Sequence, residues 1–276
     1  MPRRVAVTGA AGQLGSELVK AFESIGDEVL ALARPEFDIT RAPDLRRLAD
    51  LRPDLVIHAA AWTDVDGCAR DPERALRING EAAGAVASAA ARIDAVMVQI
   101  STNEVFDGSL DRPYTEDDEP RPLNPYGVSK LAGERLVATA VARHIIIRTA
   151  WLFGASQRSF PQKIRAAAEL ANAEGRPLRV VEDEWGNPTD VRWLAPAIAR
   201  LVDLALGGTA AWGTYHLAGQ PPTSRADWAR HLLADLPVAI EPMLLVDYRR
   251  DSRVPARAVL DVSRATALGI APGSWS

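Results

Sequence analysis

Lysine is scarce in this 276-residue chain: Lys20, Lys130 and Lys163 are the whole supply, beside twenty-nine arginines. The single cysteine, Cys68, excludes an internal disulfide and suits a reducing compartment. Four scattered histidines (His58, His144, His216 and His231) offer no metal-ligand spacing, so no metal is expected. No apolar run is long enough to span a bilayer, so the 47% of hydrophobic residues imply a globular core and no membrane partner. Met1-Pro2-Arg3-Arg4 leads straight into a strand with no signal-peptide pattern, and the expected location is cytoplasmic. A formal net charge of −4 gives no reason to expect nucleic acid. The length suffices for a nucleotide-binding domain plus a smaller lobe.

What the chain does have begins at its N-terminus. Val5-Ala6-Val7-Thr8 reads as a short apolar strand, and Gly9-Ala10-Ala11-Gly12-Gln13-Leu14-Gly15 follows at once. A helix then runs to about Ser24, with Leu14, Leu18, Phe22 and Ile25 at helical spacing. Glycines at 9, 12 and 15 allow a tight turn, close approach of backbone to a pyrophosphate, and close helix–strand packing. The diphosphate would sit on the helix N-terminus, where unpaired N–H groups and the helix dipole favour an anion. The competing reading is an ordinary Gly-rich turn.

One of the three lysines stands four residues after one of the four tyrosines, in Tyr126-Gly127-Val128-Ser129-Lys130. In a chain so tilted to arginine, lysine is expected where a compact ammonium is needed and a flat guanidinium will not do. Asn124-Pro125-Tyr126 reads as a helix start, with Asn as the cap and Pro in the first turn. Positions four apart share a helix face, so phenol and ammonium project together. An ammonium beside a phenol favours the phenolate and lowers its pKa from about 10 toward working pH. That gives a proton donor matched to reducing a carbonyl, or a base for the reverse. The competing reading is a surface helix with an unremarkable tyrosine and a solvated lysine.

Strand-like runs at Glu28–Ala33, Asp54–His58, Ala95–Ser101 and His144–Arg148 alternate with helical stretches at Asp44–Leu51, Pro72–Ala91 and Asn124–Ala142. The fold class predicted is α/β: a Rossmann-type, doubly wound parallel sheet covered on both faces, with a smaller C-terminal substrate lobe. Ligands bind at the carboxyl ends of such strands, where Gly9, Arg34, Ala59–Ala61, Ser101–Thr102 and Trp151 fall. The nucleotide domain is expected over 1–154 plus about 190–210, where Asp190–Leu206 reads as a returning helix. About 155–189 and 211–276 are expected to form the substrate lobe. An NAD-preferring site usually ends its second strand in Asp or Glu; here the end is Arg34, which suits a 2′-phosphate. NADPH is therefore the favoured cofactor, with NADH also admitted.

Gly-x-x-Gly-x-x-Gly plus Tyr-x-x-x-Lys, preceded by a hydroxyl residue at a strand end, resembles the extended short-chain dehydrogenase/reductases. More narrowly, the chain is similar to the dTDP-4-dehydrorhamnose reductases over nearly its whole length. The matching segments are Gly12-Gln13-Leu14-Gly15, Asp38-Ile39-Thr40, Ala59 to Asp66, Ser101-Thr102, Val105-Phe106-Asp107-Gly108, Asn124 to Glu134, Arg148 to Trp151 and Gly186 to Thr189. The resemblance implies a catalytic triad of Thr102, Tyr126 and Lys130. It implies that Gly9, Gly12, Gln13, Leu14, Asp38, Ile39 and Ala59, Ala60 and Ala61 hold the cofactor with Arg34, Tyr126 and Lys130. Thr63, Val65 and Trp151 would line the sugar pocket. The implied reaction is reduction of the 4-keto group of a dTDP-linked deoxy-sugar in nucleotide-sugar biosynthesis. The implied partners are that small-molecule substrate and a second copy of the chain as a homodimer.

The family usually follows its catalytic threonine with Asp-Tyr, whereas this chain has Asn103-Glu104, directly after Thr102 and expected to face the sugar. Reductases of the family also continue past a tryptophan like Trp275 into a closing helix, where this sequence ends at Ser276. Two other readings compete. Nucleotide-sugar dehydratase or epimerase-type relatives carry Thr-Asp-Glu, with Asp as acid and Glu as base; Glu104 matches, but Asn103 has no proton to give. A non-catalytic, NADP-binding regulatory subunit could lose its triad freely, and this chain retains all three groups.

Overall fold

Apolar and β-branched residues concentrate in five short runs, which become β1 (Arg4–Thr8), β2 (Glu28–Leu32), β3 (Leu55–His58), β4 (Val96–Thr102) and β5 (His144–Thr149). In the computed structural model, which describes residues 2–154 and 159–275, these pair in parallel in the order β2-β1-β3-β4-β5. The edge strand β2 keeps exposed residues, while the other four are almost wholly buried, as a sheet covered on both faces requires. The helices α1 (Gln13–Ser24), α2 (Ala42–Asp50), α3 (Val65–Arg70), α4 (Pro72–Ala75), α5 (Ala82–Ala91) and α6 (Pro125–Ala140) connect them. The doubly wound parallel sheet expected from the alternation is the sheet that forms.

Successive strand residues point to opposite faces, and this sorts the interior into two cores. Val5 and Val7 join Leu14, Leu18 and Phe22 of α1 on one side. Ala6, Val56 and Met97 meet Leu48 of α2, Val86 of α5 and Val137 of α6 on the other. Further along the chain come α7 (Phe160–Ala173), α8 (Val191–Leu206) and α9 (Arg225–Leu232). Helix α8 lays Leu194, Ile198 and Leu201 on the α1 side. In the smaller lobe, α7 and α9 pack Ile164, Ala168, Ala226 and Ala229 against Leu178–Val181, a strand paired in parallel with Ile240–Met243.

The division of the chain differs from the one predicted. Gly213–His216, assigned above to the substrate lobe, pairs in parallel with β5 and becomes the sixth strand of the main sheet. Its Tyr215 and the following Leu217 are buried in the α1-side core, so burial draws this segment back. Residues 155–158, where the lobe was expected to begin, lie outside the described residues. The single helix expected over 72–91 is also interrupted. Between α4 and α5 the stretch Leu76–Glu81 is π-helical, a widening that is rare and frequently found at functional sites.

Helix α6 is fastened to the sheet by buried charge. Arg148 of β5 donates from Nε (3.1 Å) and Nη2 (2.7 Å) to the Glu134 carboxylate, and Ser101 of β4 donates to the same carboxylate at 2.5 Å. The guanidinium also stands 5.1 Å over the Phe106 ring. Removing one partner of such a pair leaves an uncompensated buried charge. Arg148→Met should therefore lower unfolding free energy by about 3–5 kcal/mol in urea titration; an unchanged midpoint would show that the pair does not hold α6.

Candidate active site

The first turn after β1 builds the floor of a cavity of about 870 Å³. Gly9 adopts φ +71°, and a Cβ there would sit 2.7 Å from the Ala60 backbone, so the turn and the end of β3 press together with no room for a side chain. A Cβ at Gly15 would lie 2.1 Å from the Gly9 carbonyl oxygen, which brings α1 equally close. Gly12 caps α1 without a side chain, so no side-chain acceptor covers the first-turn N–H groups. The cavity is lined by Gly9, Gly12, Arg34, Asp38, Ile39 and Ala59–Ala61, together with Trp62, Arg74 and Arg77. An open helix N-terminus with arginines on the wall fits an anionic dinucleotide.

Gln13 and Leu14, expected at the cofactor, open α1 and offer it main-chain N–H groups, while their side chains turn elsewhere. Leu14 is buried in the α1-side core, and the Gln13 side chain lies against Gly154 on the lobe side. Asp38 folds onto its own turn, accepting from the Thr40 N–H at 2.9 Å and hydroxyl at 2.7 Å, which holds its carboxyl below the ordinary carboxylate range.

At the end of β4, Thr102 meets the start of α6. The helix is capped by Asn124, whose Oδ1 accepts from the Gly127 N–H at 2.8 Å, with Pro125 in the first turn. A Cβ on residue 127 would stand 2.1 Å from the Glu104 carbonyl oxygen, so glycine lets α6 close on the 102–105 loop. Tyr126 and Lys130, one turn apart, are both buried. Lys130 Nζ donates to the Ile100 carbonyl at 2.6 Å, and burial pushes its ammonium down to about 8 against the pull of Glu134.

The phenol departs from the prediction. Burial, and then the Glu104 carboxyl, push the Tyr126 pKa up, with a hydrogen bond to Thr102 opposing them. The ammonium is engaged on the Ile100 carbonyl, so the desolvated phenol keeps its proton. Thr102 Oγ1 also accepts from the Glu104 N–H at 3.2 Å, so it caps the short 3₁₀ turn Asn103–Val105 as well as facing Tyr126.

Asn103 and Glu104 part company. Asn103 is buried, and its amide donates to the Ala258 carbonyl at 3.1 Å, which ties the loop to the C-terminal segment. Glu104 Oε2 accepts from Asn124 Nδ2 at 2.5 Å beside Tyr126. Burial lifts the Glu104 carboxyl to about 7, with Glu184 adding to the rise and Asn124, Arg250 and Arg225 resisting it. Val65, at the start of α3, packs with Cys68 and Ala75 against Tyr126, while Thr63 is exposed on the loop before it. Trp151 is held at φ +45°, with the Arg225 guanidinium 3.5 Å from its ring centre and Trp228 stacked at 5.9 Å. His58 is buried, bonded through Nδ1 to the Thr8 hydroxyl at 2.7 Å, and burial with nearby Lys130 pushes it down to about 3. Among the described residues, no His, Cys, Asp or Glu cluster is placed to hold a metal ion.

Compared with known families, residues 3–276 match the model of the RmlD substrate binding domain. The chain belongs to this family. A dTDP-4-dehydrorhamnose reductase of Streptomyces griseus is 38% identical to it over 271 residues, covering 96% of this chain and 88% of that protein. The crystal structure of a dTDP-4-dehydrorhamnose reductase from Clostridium acetobutylicum aligns with a TM-score of 0.91 at 30% identity, over 99% of this chain and 95% of that one. The Bacillus anthracis dTDP-4-dehydrorhamnose reductase, solved in complex with NADP, aligns with a TM-score of 0.90 at 29% identity and the same coverage.

This RmlD-family chain uses residues that sequence reading passed over. Asn79, from the π-helical stretch, accepts from the Trp62 N–H at 2.8 Å and donates to the Trp62 carbonyl at 3.0 Å and to Ser129 Oγ at 3.1 Å. It therefore clamps the loop carrying Thr63 to the helix carrying Tyr126 and Lys130. The only hint in the sequence was the Asn79-Gly80 pair inside an otherwise helical run. Arg225 and Arg250, distant in sequence, face Glu104 from the C-terminal part of the chain. Asn79→Ala would leave the part-buried Trp62 peptide groups without their partner and should cost about 1–3 kcal/mol of stability in denaturant unfolding; full retention of stability would argue against the clamp.

Proposed function

We propose that this protein reduces the 4-keto group of dTDP-4-dehydrorhamnose to give dTDP-rhamnose, using NADPH. The observation that carries this reading is the convergence of Thr102, Tyr126 and Lys130 where β4 and α6 meet, in a chain of the RmlD family. The bound nicotinamide supplies hydride to the carbonyl carbon. Tyr126, kept neutral by burial, gives its proton to the carbonyl oxygen, and Thr102 orients that oxygen. Lys130, anchored on Ile100 one helical turn from Tyr126, would hold the cofactor ribose. The first-turn N–H groups of α1 would hold the pyrophosphate, and Arg34, at the cavity wall, would take the 2′-phosphate. Thr63, Val65, Glu104 and Trp151 face the sugar, and the substrate is a small-molecule nucleotide-sugar. No helix among the described residues is long and apolar enough to cross a membrane.

The dehydratase reading asks for an acid at position 103, where Asn103 has none and is spent on the Ala258 carbonyl. The regulatory-subunit reading leaves the buried triad without a purpose.

Tyr126→Phe should lower turnover by about 10²–10⁴-fold, the share of a general acid, with little change in NADPH affinity. Wild-type turnover in that variant would remove Tyr126 from the mechanism. The unmutated protein should use both dinucleotides with higher kcat/KM for NADPH, and Arg34→Ala should erase that preference. Steady-state kinetics with each cofactor decide the point, and equal or better efficiency with NADH before mutation refutes the role given to Arg34.

A further inference from the structure

The reduction uses Tyr126 and Thr102 at the carbonyl oxygen, but it asks no proton transfer of the carboxyl that stands next to them. Glu104 follows Thr102 on the same turn, and its Oε2 is fixed by Asn124, the residue that caps α6 and precedes the Pro125-Tyr126 pair. Asn124 is in turn anchored by donating to the Arg253 carbonyl at 2.9 Å. The carboxyl is therefore not a swinging surface group: its Oε2 is held by Asn124, and it is set beside the phenol. It lies close enough to Tyr126 to help hold the phenol neutral.

A ketone bound by two hydroxyls has acidified C–H bonds on the carbons next to its carbonyl. We infer that Glu104 acts as a general base on the carbon adjacent to the bound 4-keto group, so that the site also catalyses enolisation of its own substrate. This rests on the reductase reading above. In the step, one Glu104 oxygen takes the proton from that carbon. The C–H electron pair becomes the carbon–carbon double bond, and the carbonyl π pair moves to the oxygen, held by Tyr126 and Thr102. The Glu104 carboxyl trades that proton with solvent, and reversal returns a solvent-derived proton from Glu104 to the same carbon. No oxidant or reductant is consumed. Because the carboxyl stands on one side of the sugar and its neighbour Asn103 has no proton to give, the proton comes back on the face it left. The outcome is isotope exchange with retention of configuration, not epimerisation.

The groups facing Glu104 tune it for this role. Burial and Glu184 raise it to about 7, while Asn124 and the guanidinium groups of Arg250 and Arg225 limit the rise; Tyr126 and Cys68 stand on its helix side. Arg225 is paired with Glu184 at 3.1 Å and Arg250 with Asp66 at 3.2 Å, which fixes these charges in place. A base must be ionised, so the activity should rise as pH increases through about 7.

The test is to incubate the full-length protein with NADP⁺, which carries no hydride, and a dTDP-linked 4-keto-6-deoxyhexose in D₂O. Protein-dependent uptake of one deuterium at a carbon flanking the carbonyl is expected, read by proton NMR and mass spectrometry, with the rate increasing from pH 6 to pH 8. Glu104→Gln should cut the exchange by about 10²-fold or more, the loss expected of a general base, while NADP⁺ still binds. Exchange no faster than in protein-free buffer, or exchange that survives Glu104→Gln, overturns the inference. If NADPH-driven reduction proceeds without exchange, the second activity fails and the reductase reading stands. If neither occurs, both fail.

Discussion

The buried contact between helix α6 and strands β4 and β5 is the constraint on which the site depends. Glu134 accepts from both Arg148 and Ser101, and one turn earlier Lys130 grips the Ile100 carbonyl. These bonds run from consecutive turns of one helix to adjacent strands, so they fix both its height and its rotation. Tyr126 sits one further turn toward the N-terminus, where Asn124 and Pro125 start the helix. The position of the phenol is thus set by charges in the interior. Charges withdrawn from water are costly to leave unpaired, which makes this placement stiff.

Burial sets the protonation states around that phenol. Tyr126 is pushed up, Glu104 is raised to about 7 and Lys130 is lowered to about 8, each because the charged form loses water. The same desolvation that keeps the phenol protonated draws the ammonium and the carboxyl toward neutral pH. Desolvation is the largest influence on all three, with neighbouring charges and hydrogen bonds adding to it or resisting it.

Much of this was legible in the sequence where physics is local. The glycine turn between β1 and α1 and the Asn-Pro start of α6 declare themselves through neighbouring residues, and the alternation of strand and helix declares the sheet. The parts that depend on distant contacts did not. Nothing near Gly213–His216 announces that it will pair with β5, because the partner lies far away in the chain. The π-helical stretch depends on Asn79 finding Trp62 and Ser129, which no helical period records. The direction of the Tyr126 shift was misjudged for the same reason: spacing put an ammonium on its face, but spacing carries no information on desolvation or on the Ile100 carbonyl that takes the ammonium. Asn103 and Glu104, adjacent in sequence, part because one finds Ala258 and the other Asn124.

The close approach at Gly127 separates two kinds of variation. There α6 touches the 102–105 loop through main chain only, glycine against the Glu104 carbonyl oxygen. A main-chain contact is indifferent to which side chains the loop carries. The approach of α6 to the loop at this point therefore does not depend on which side chains stand at 103 and 104. The Glu104 carboxylate adds a second tie to the same helix through Asn124, so one residue meets α6 both in a way any residue could and in a way only its side chain allows.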